Sequence, residues 1–340
     1  MMAQTLEDVA RLAGVSRSTV SRVINNHPSV SSDTRERVWQ AIQQCGYRPH
    51  PVARSLVTRR TKIIGMIIPE AVTSLFVDPF FPLLLRGATE ACNKHHYQLI
   101  LSLFDDPAKQ EEMYQRVLRN GYLDGVIVAS ASLSDPLIPH LLFDQIPFVS
   151  VGKYDDERVH YVDTENAAGT QMAVEHLIRL GHRRIGTITG PMDMIAGQER
   201  LGGYRQALEA HRIPMDEDLI VEGDFSEGSG ALGMQKLLSA SPSAVFAASD
   251  MMAIGALKTL RQAGLQVPQD VAVVGFDDIP LASALEPTLT TVRQPIERLG
   301  AMSVEVLLGR LQEEPDECSA THKIILPAEL IVRESCGALK

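Results

Sequence analysis

From residue 63 onward, short apolar runs of strand length alternate with longer amphipathic stretches, and this alternation limits the fold more than any other feature of the chain. The runs, rich in Val and Ile, are 63–68, 97–103, 125–129, 147–151, 185–189, 219–221, 244–248 and 271–276. Helical spacing predicts helices over 81–94, 108–119, 166–180, 198–210, 228–238 and 251–263. Continuous apolar strands interleaved with helices imply α/β architecture, with parallel sheets covered on both faces. Eight such units fit either two doubly wound lobes or one β/α barrel. In open sheets of this kind, ligands sit beyond the carboxyl ends of the strands.

The 340 residues exceed one compact domain of about 100–200. With 45% hydrophobic residues the chain has material for a large core, and no run of about 18 uncharged apolar residues suits a membrane span. The first eight residues carry neither a basic nor an apolar segment of the secretory type. Cys45, Cys92, Cys318 and Cys336 form no CxxC pair, so reduced thiols and a cytoplasmic location are expected. The net charge of −10 is unevenly spread: residues 1–62 hold ten Lys/Arg against four Asp/Glu, and the remainder is strongly acidic. A basic head on an acidic body suggests that the head meets a polyanion.

The head reads as three short helices. Thr5 caps the first, with Asp8 in the capping-box position, and Gly14 stops it. Ser16 caps the second, with Thr19 at the box position and Val20, Val23 and Ile24 inward; Ser31 or Ser32 opens the third, which ends at Gly46. Trp39, beside Val38, is expected to pack the small head. The four-residue turn 13–16 makes this a helix-turn-helix. Arg17, Ser18, Ser21, Arg22 and Asn25 fall on the polar face of the second helix. Recognition helices present their N-terminal side chains to base edges, so Arg17 and Ser18 are placed to read sequence, and Arg22 to read a base or hold a phosphate. Thr5, Ser16, Thr19 and Ser31 are candidates to position phosphates of double-stranded DNA. A small helical bundle for protein contact is the bland alternative.

The run Thr5-Leu6-Glu7-Asp8-Val9-Ala10, then Ala13-Gly14-Val15-Ser16, Thr19-Val20-Ser21-Arg22-Val23-Ile24-Asn25 and 47–56 resembles the LacI/GalR family of bacterial repressors. The resemblance implies a helix-turn-helix over 1–46, a hinge segment over 47–61 and a two-lobed body over 62–340 of the periplasmic-binding-protein type. Lobe 1 would hold about 62–164 and 294–323, lobe 2 about 165–292 and 324–340, with crossings near Thr164, Arg293 and Lys323. It also implies a hinge helix on DNA, with His50, Ala53 and Arg54 beside it and Leu56 wedged into a minor-groove step. A homodimer on a pseudo-palindromic operator, controlled by a small-molecule effector with a sugar as the default, completes the expectation. No leucine heptad follows residue 333, which favours a dimer over a tail-assembled tetramer.

Residues at and after strand ends are the candidate effector contacts. Phe81, Lys153, Phe225 and Ser249 follow strands, as do Arg200, Phe276 and Asp277. Flat apolar rings (Phe81, Phe225, Phe276) beside charged forks suit polyhydroxylated ligands. The family resemblance assigns effector contact to Arg200 and Asp277. The bland readings are core packing for Phe81 and Phe276, a turn cap for Asp277, a Glu199 pair for Arg200 and an N-cap for Asp250. Gly228-Ser229-Gly230-Ala231-Leu232-Gly233 matches GxGxxG, but a polar loop separates it from its strand, against a dinucleotide site. No GxxxxGK[ST], GxSxG or nucleophile–base set is present, and His95-His96 and Cys318/His322 lack further ligands at metal spacing, so neither an enzyme, a metal nor a cofactor is expected. A transport binding protein lacking DNA contact is the alternative class that the body alone would suit.

Overall fold

The computed structural model describes residues 5–24, 27–47, 60–68, 77–103, 112, 114–119, 121–129, 132–134, 136–313 and 320–338. The chain divides into two units, Met1–Thr61 and Lys62–Lys340. Of the expected DNA contacts, Asn25, His50, Ala53, Arg54 and Leu56 lie outside the described residues, as do most of the hinge and Cys318.

In the first unit, α1 (Leu6–Ala13), α2 (Arg17–Ile24) and α3 (Ser32–Cys45) enclose a core of Val9, Ala10, Ala13, Val20, Val23, Val38, Ala41 and Ile42. Each start is capped by a hydroxyl. The Thr5 hydroxyl accepts from Asp8 N, while the Asp8 carboxylate accepts from Thr5 N at 3.0 Å. Ser16 accepts from Thr19 N at 3.1 Å, and Ser31 from Thr34 N at 3.4 Å. Caps of this kind contribute about 1 kcal/mol apiece, which matters for helices as short as eight residues. Gly14 (φ 64°) and Gly46 (φ 62°) end their helices in the left-handed conformation. Trp39 does not pack the head: it is 43% exposed. One residue along a helix is about 100° of rotation, so the neighbour of buried Val38 turns outward.

The second unit holds two six-stranded sheets. The first runs β11-β5-β4-β3-β1-β2, from β1 (Ile63–Ile68), β2 (Gln98–Leu103), β3 (Gly125–Ala129), β4 (Phe148–Val151), β5 (Tyr161–Thr164) and β11 (Lys323–Leu326), all parallel. The second runs β12-β10-β9-β8-β6-β7, from β6 (Ile185–Thr189), β7 (Ile220–Glu222), β8 (Ala244–Ala247), β9 (Ala272–Asp277), β10 (Thr290–Arg293) and β12 (Glu329–Ile331). Only β12 pairs antiparallel among these. Both sheets repeat one doubly wound strand order, and the barrel alternative is thereby excluded. Because β11 pairs with β5, the third crossing expected near Lys323 falls instead between Leu326 and Glu329. In place of the helix expected over 108–119, Tyr114–Leu118 forms a π-helical turn, with much of the rest of that range outside the described residues.

Helices α4 (Phe80–Lys94), α5 (Leu137–Phe143), α6 (Asn166–Arg179), α7 (Ile195–Ala210), α8 (Glu227–Leu237), α9 (Asp250–Gln262) and α10 (Ile296–Arg310) complete the unit. The GxGxxG pattern belongs to α8, whose backbone lies against α9. A Cβ on Gly230 would fall 2.2 Å from Met252 O, and one on Gly255 2.0 Å from Glu227 O. These glycines serve reciprocal helix contact rather than a phosphate.

Where β5 and β11 begin, His160 and His322 stack with ring centroids 5.6 Å apart, and His322 N donates to His160 Nδ1 at 3.1 Å. Burial, assisted by the nearby Arg310 and His322, lowers the His160 pKa to about 4 from 6.5. Its neutral ring therefore contributes stability that is complete above pH 6.5 and is lost as pH falls towards 4. His160→Asn should lose less stability than the parent chain across that window, measured by thermal unfolding at stepped pH. Parallel pH profiles for the two proteins would contradict this.

Candidate functional site

The carboxyl ends of both sheets face a cleft of about 310 Å³. From the first sheet's side come Asp78, Phe80 and Phe81 at and just before the start of α4, residues 150–153 at the end of β4, and Asp163 in β5. From the second come residues 194–196, Arg200, 224–227, Ser249 and Asp277, and Gln294 and Leu299 close the lining. Gly152, at φ 97°, lets the chain turn out of β4 and aim Lys153 into the space.

Arg200 sits at the centre and is only 6% exposed. Its Nε donates to Asn166 Oδ1 at 2.9 Å and its Nη1 to Ala248 O at 2.5 Å. Nη1 also lies 3.7 Å from Asp277 Oδ1. The guanidinium covers the Phe276 ring at 3.7 Å and stands 5.5 Å from Phe225. Nη2 has no partner among the described residues. The bland alternative, an Arg200–Glu199 pair, does not form: Glu199 Oε1 instead accepts from Lys153 Nζ. For Lys153, burial works against the charge, but the hydrogen bond and charge of Glu199 prevail and raise its pKa.

Asp277 accepts from Gln294 Nε2 at 2.5 Å. Burial raises its pKa to about 7 despite the opposing pull of Arg200. Burial likewise raises Asp78 and Asp163. Asp277 at φ 120°, Asp278 at φ 57° and Phe225 at φ 69° hold conformations that side chains other than glycine rarely adopt. Such strain, about 1–3 kcal/mol per residue, persists only where surroundings enforce it. Here Asp278 is fixed by Arg293 and Arg333, each at 2.7 Å.

The structure thus brings Phe81, Lys153, Arg200, Phe225, Ser249 and Asp277 to one cleft. Two sequence readings need correction. Phe276 offers no platform to a ligand, because it is fully buried beneath Arg200. Asp250 does not cap α9; Ser249 does, accepting from Met252 N at 3.1 Å while donating to Phe225 O at 3.1 Å. Asp250 is instead buried, accepting from Thr291 Oγ1 at 2.5 Å and Ile279 N at 2.9 Å. Asp163, Gln294 and the pairing of Glu199 with Lys153 are not legible from sequence, whereas Asp78 follows the first strand. Asp163 and Gln294 belong to or follow short strands that periodicity does not reveal.

On the head, Thr5, Ser16, Arg17, Ser18, Arg22 and Ser31 are exposed, with Thr19 and Ser21 half-buried. Arg17 is 69% exposed in its side chain and lies 3.2 Å from Glu7, a surface pair worth little that a stronger anion can displace. Ser16 Oγ lies 2.8 Å from both Ser18 Oγ and Thr19 Oγ1.

Residues 5–50 match the family described as bacterial regulatory proteins, lacI family, and residues 174–336 match the periplasmic binding protein-like domain. Over 337 residues the chain is 43% identical to the HTH-type transcriptional regulator CelR of Thermobifida fusca, covering 97% of this chain and 98% of that one. The chain belongs to the LacI family. Among solved structures of LacI-type regulators, the transcriptional regulator CelR–cellobiose complex superposes with a TM-score of 0.77 at 41% identity, covering 98% of this chain and 99% of that one. The lac repressor dimer bound to operator and the anti-inducer ONPF superposes at 0.84 with 27% identity and the same coverage. As a LacI-family member the chain is a DNA-binding transcriptional regulator with a two-lobed effector domain. No helix among the described residues is long and apolar enough to cross a membrane, and no group of three or more metal-ligating side chains occurs among them.

Proposed function

We propose that this regulator is a repressor that binds a twofold operator as a homodimer and responds to a sugar held in the cleft. The observation that carries the reading is Arg200, locked by Asn166, Ala248 and Phe276 with Nη2 left over, beside Asp277 and the rings of Phe81 and Phe225. Fixed planar donors and carboxylates bind neighbouring hydroxyls, while aromatic rings take the apolar face of a sugar. The similarity to a regulator solved with cellobiose supports the same ligand class. Effector binding controls the operator only if the sugar prefers one lobe arrangement over another. The hinge around residues 50–58, with Ala53, Arg54 and Leu56, is the segment proposed to respond.

In this reading Arg17 and Ser18 contact bases, Arg22 a base or a phosphate, and Thr5, Ser16, Thr19, Ser21 and Ser31 hold the backbone. Selection from a random duplex pool at two salt concentrations, with the bound fraction sequenced, tests the head. A palindrome with a steep salt slope is expected; unselective binding with and without sugars would count against the proposal. Arg17→Ala should cut discrimination at one operator position about tenfold or more, with sugar binding intact. Unchanged preference at every position would remove Arg17 from the readout.

A further inference from the structure

The charges around the cleft narrow the ligand further, an inference that rests on the sugar reading above. Five carboxylates line the space, Asp78, Asp163, Asp224, Glu227 and Asp277, against two cations among the described residues. Both cations already face partners within the cleft, and only Arg200 Nη2 is left to an incoming group. Arg200 is held by Asn166, Ala248 and Asp277, and its face is covered by Phe276. Lys153 is engaged by Glu199, whose second oxygen is buried without a hydrogen-bond partner. Drawing Lys153 towards a phosphate would leave that half-buried carboxylate without its cation, which is unfavourable. Asp78 has one oxygen on Phe80 N at 2.9 Å, and no described side chain pairs with the other. An incoming phosphate or carboxylate would therefore meet acceptors and negative charge on both sides of the cleft, whereas a hydroxyl can donate to each of them.

We infer that the cleft selects uncharged polyols and rejects their phosphorylated and acidic forms, with Asp78 as the residue that enforces the rejection. The selectivity follows from the arrangement of carboxylates and not from the size of the space, so it applies to a ligand and its phosphate ester alike. The regulator would then sense free sugar, upstream of any reaction that phosphorylates it.

Calorimetric titration of the full chain with paired ligands tests this: cellobiose and its 6′-phosphate, glucose and glucose 6-phosphate, ribose and ribose 5-phosphate, with hypoxanthine as a neutral base. The neutral member of the pair that binds should do so about 100-fold more tightly than its phosphate. Asp78→Asn should narrow that gap at least tenfold, read as the ratio of the two affinities within the variant and not as either affinity alone. A phosphate ester that binds as well as or better than its parent overturns the inference and leaves the sugar reading standing. Binding of hypoxanthine with none of the sugars would overturn the sugar reading while still satisfying the exclusion of anions. An unchanged gap in Asp78→Asn would overturn the role given to Asp78.

Discussion

Arg200→Ala should weaken effector binding by 100-fold or more while leaving operator binding without effector in place. The side chain supplies both the unclaimed Nη2 and the cation that lies 3.7 Å from Asp277. Its loss also strips donors from Asn166 Oδ1 and Ala248 O. Leaving a buried carboxylate and two acceptors unmatched costs about 3–5 kcal/mol, so the variant should also unfold at lower urea. The pH dependence gives a sharper signature. A carboxyl raised to about 7 in the folded chain, from 3.8, favours the folded state at low pH and loses that contribution as pH rises through the folded value. Without the guanidinium the folded pKa moves higher still, so stability should keep falling above pH 7 in the variant after the parent has levelled. Urea midpoints for both proteins at pH 6 and pH 9 decide it. An equal change in the two would mean that Arg200 does not govern Asp277.

Gly255→Ala carries the second large effect, and it falls on the fold. The added Cβ would lie 2.0 Å from Glu227 O and 2.6 Å from Ala231 N, both backbone atoms that no rotamer change can move aside. Helices α8 and α9 would have to separate, at a cost of about 3 kcal/mol or more. Gly202→Ala in α7 is the control, because nothing lies within 4 Å of its added methyl. There the loss of helix-interior glycine should stabilise by about 0.5–1 kcal/mol. Chemical denaturation of the two variants should therefore shift in opposite directions. A Gly255→Ala protein as stable as its parent would show that the close backbone approach of the two helices contributes little to the fold.

Features written in local chemistry were readable from the sequence. Thr5 with Asp8, Ser16, Ser31, Gly14 and Gly46 mark helix ends by their own hydrogen-bonding and conformational preferences, and the helices begin and end there. Strands buried on both faces, such as Gly125–Ala129, announce themselves as unbroken apolar runs. The short strands Tyr161–Thr164 and Thr290–Arg293 do not, because their polar residues are buried by partners distant in the chain. Ser335, for example, donates to Val273 O and accepts from Thr290 N. The cleft divides in the same way. Its position at strand ends follows from topology, so Lys153, Arg200 and Asp277 could be named. The roles of Phe276 as a support for Arg200 and of Glu199 as the Lys153 partner depend on tertiary geometry. Trp39 escapes the sequence reading because adjacency to Val38 along a helix is not adjacency in the core.

That outward-facing indole has a practical consequence. Trp39 is the single tryptophan in 340 residues and is 43% exposed on α3 of the first unit. Excited at the red edge, where tyrosine does not absorb, the chain emits from its DNA-binding unit and from nowhere else. A sugar added to the cleft can change that emission only by altering the surroundings of α3. The chain thus carries a single optical reporter confined to its first unit.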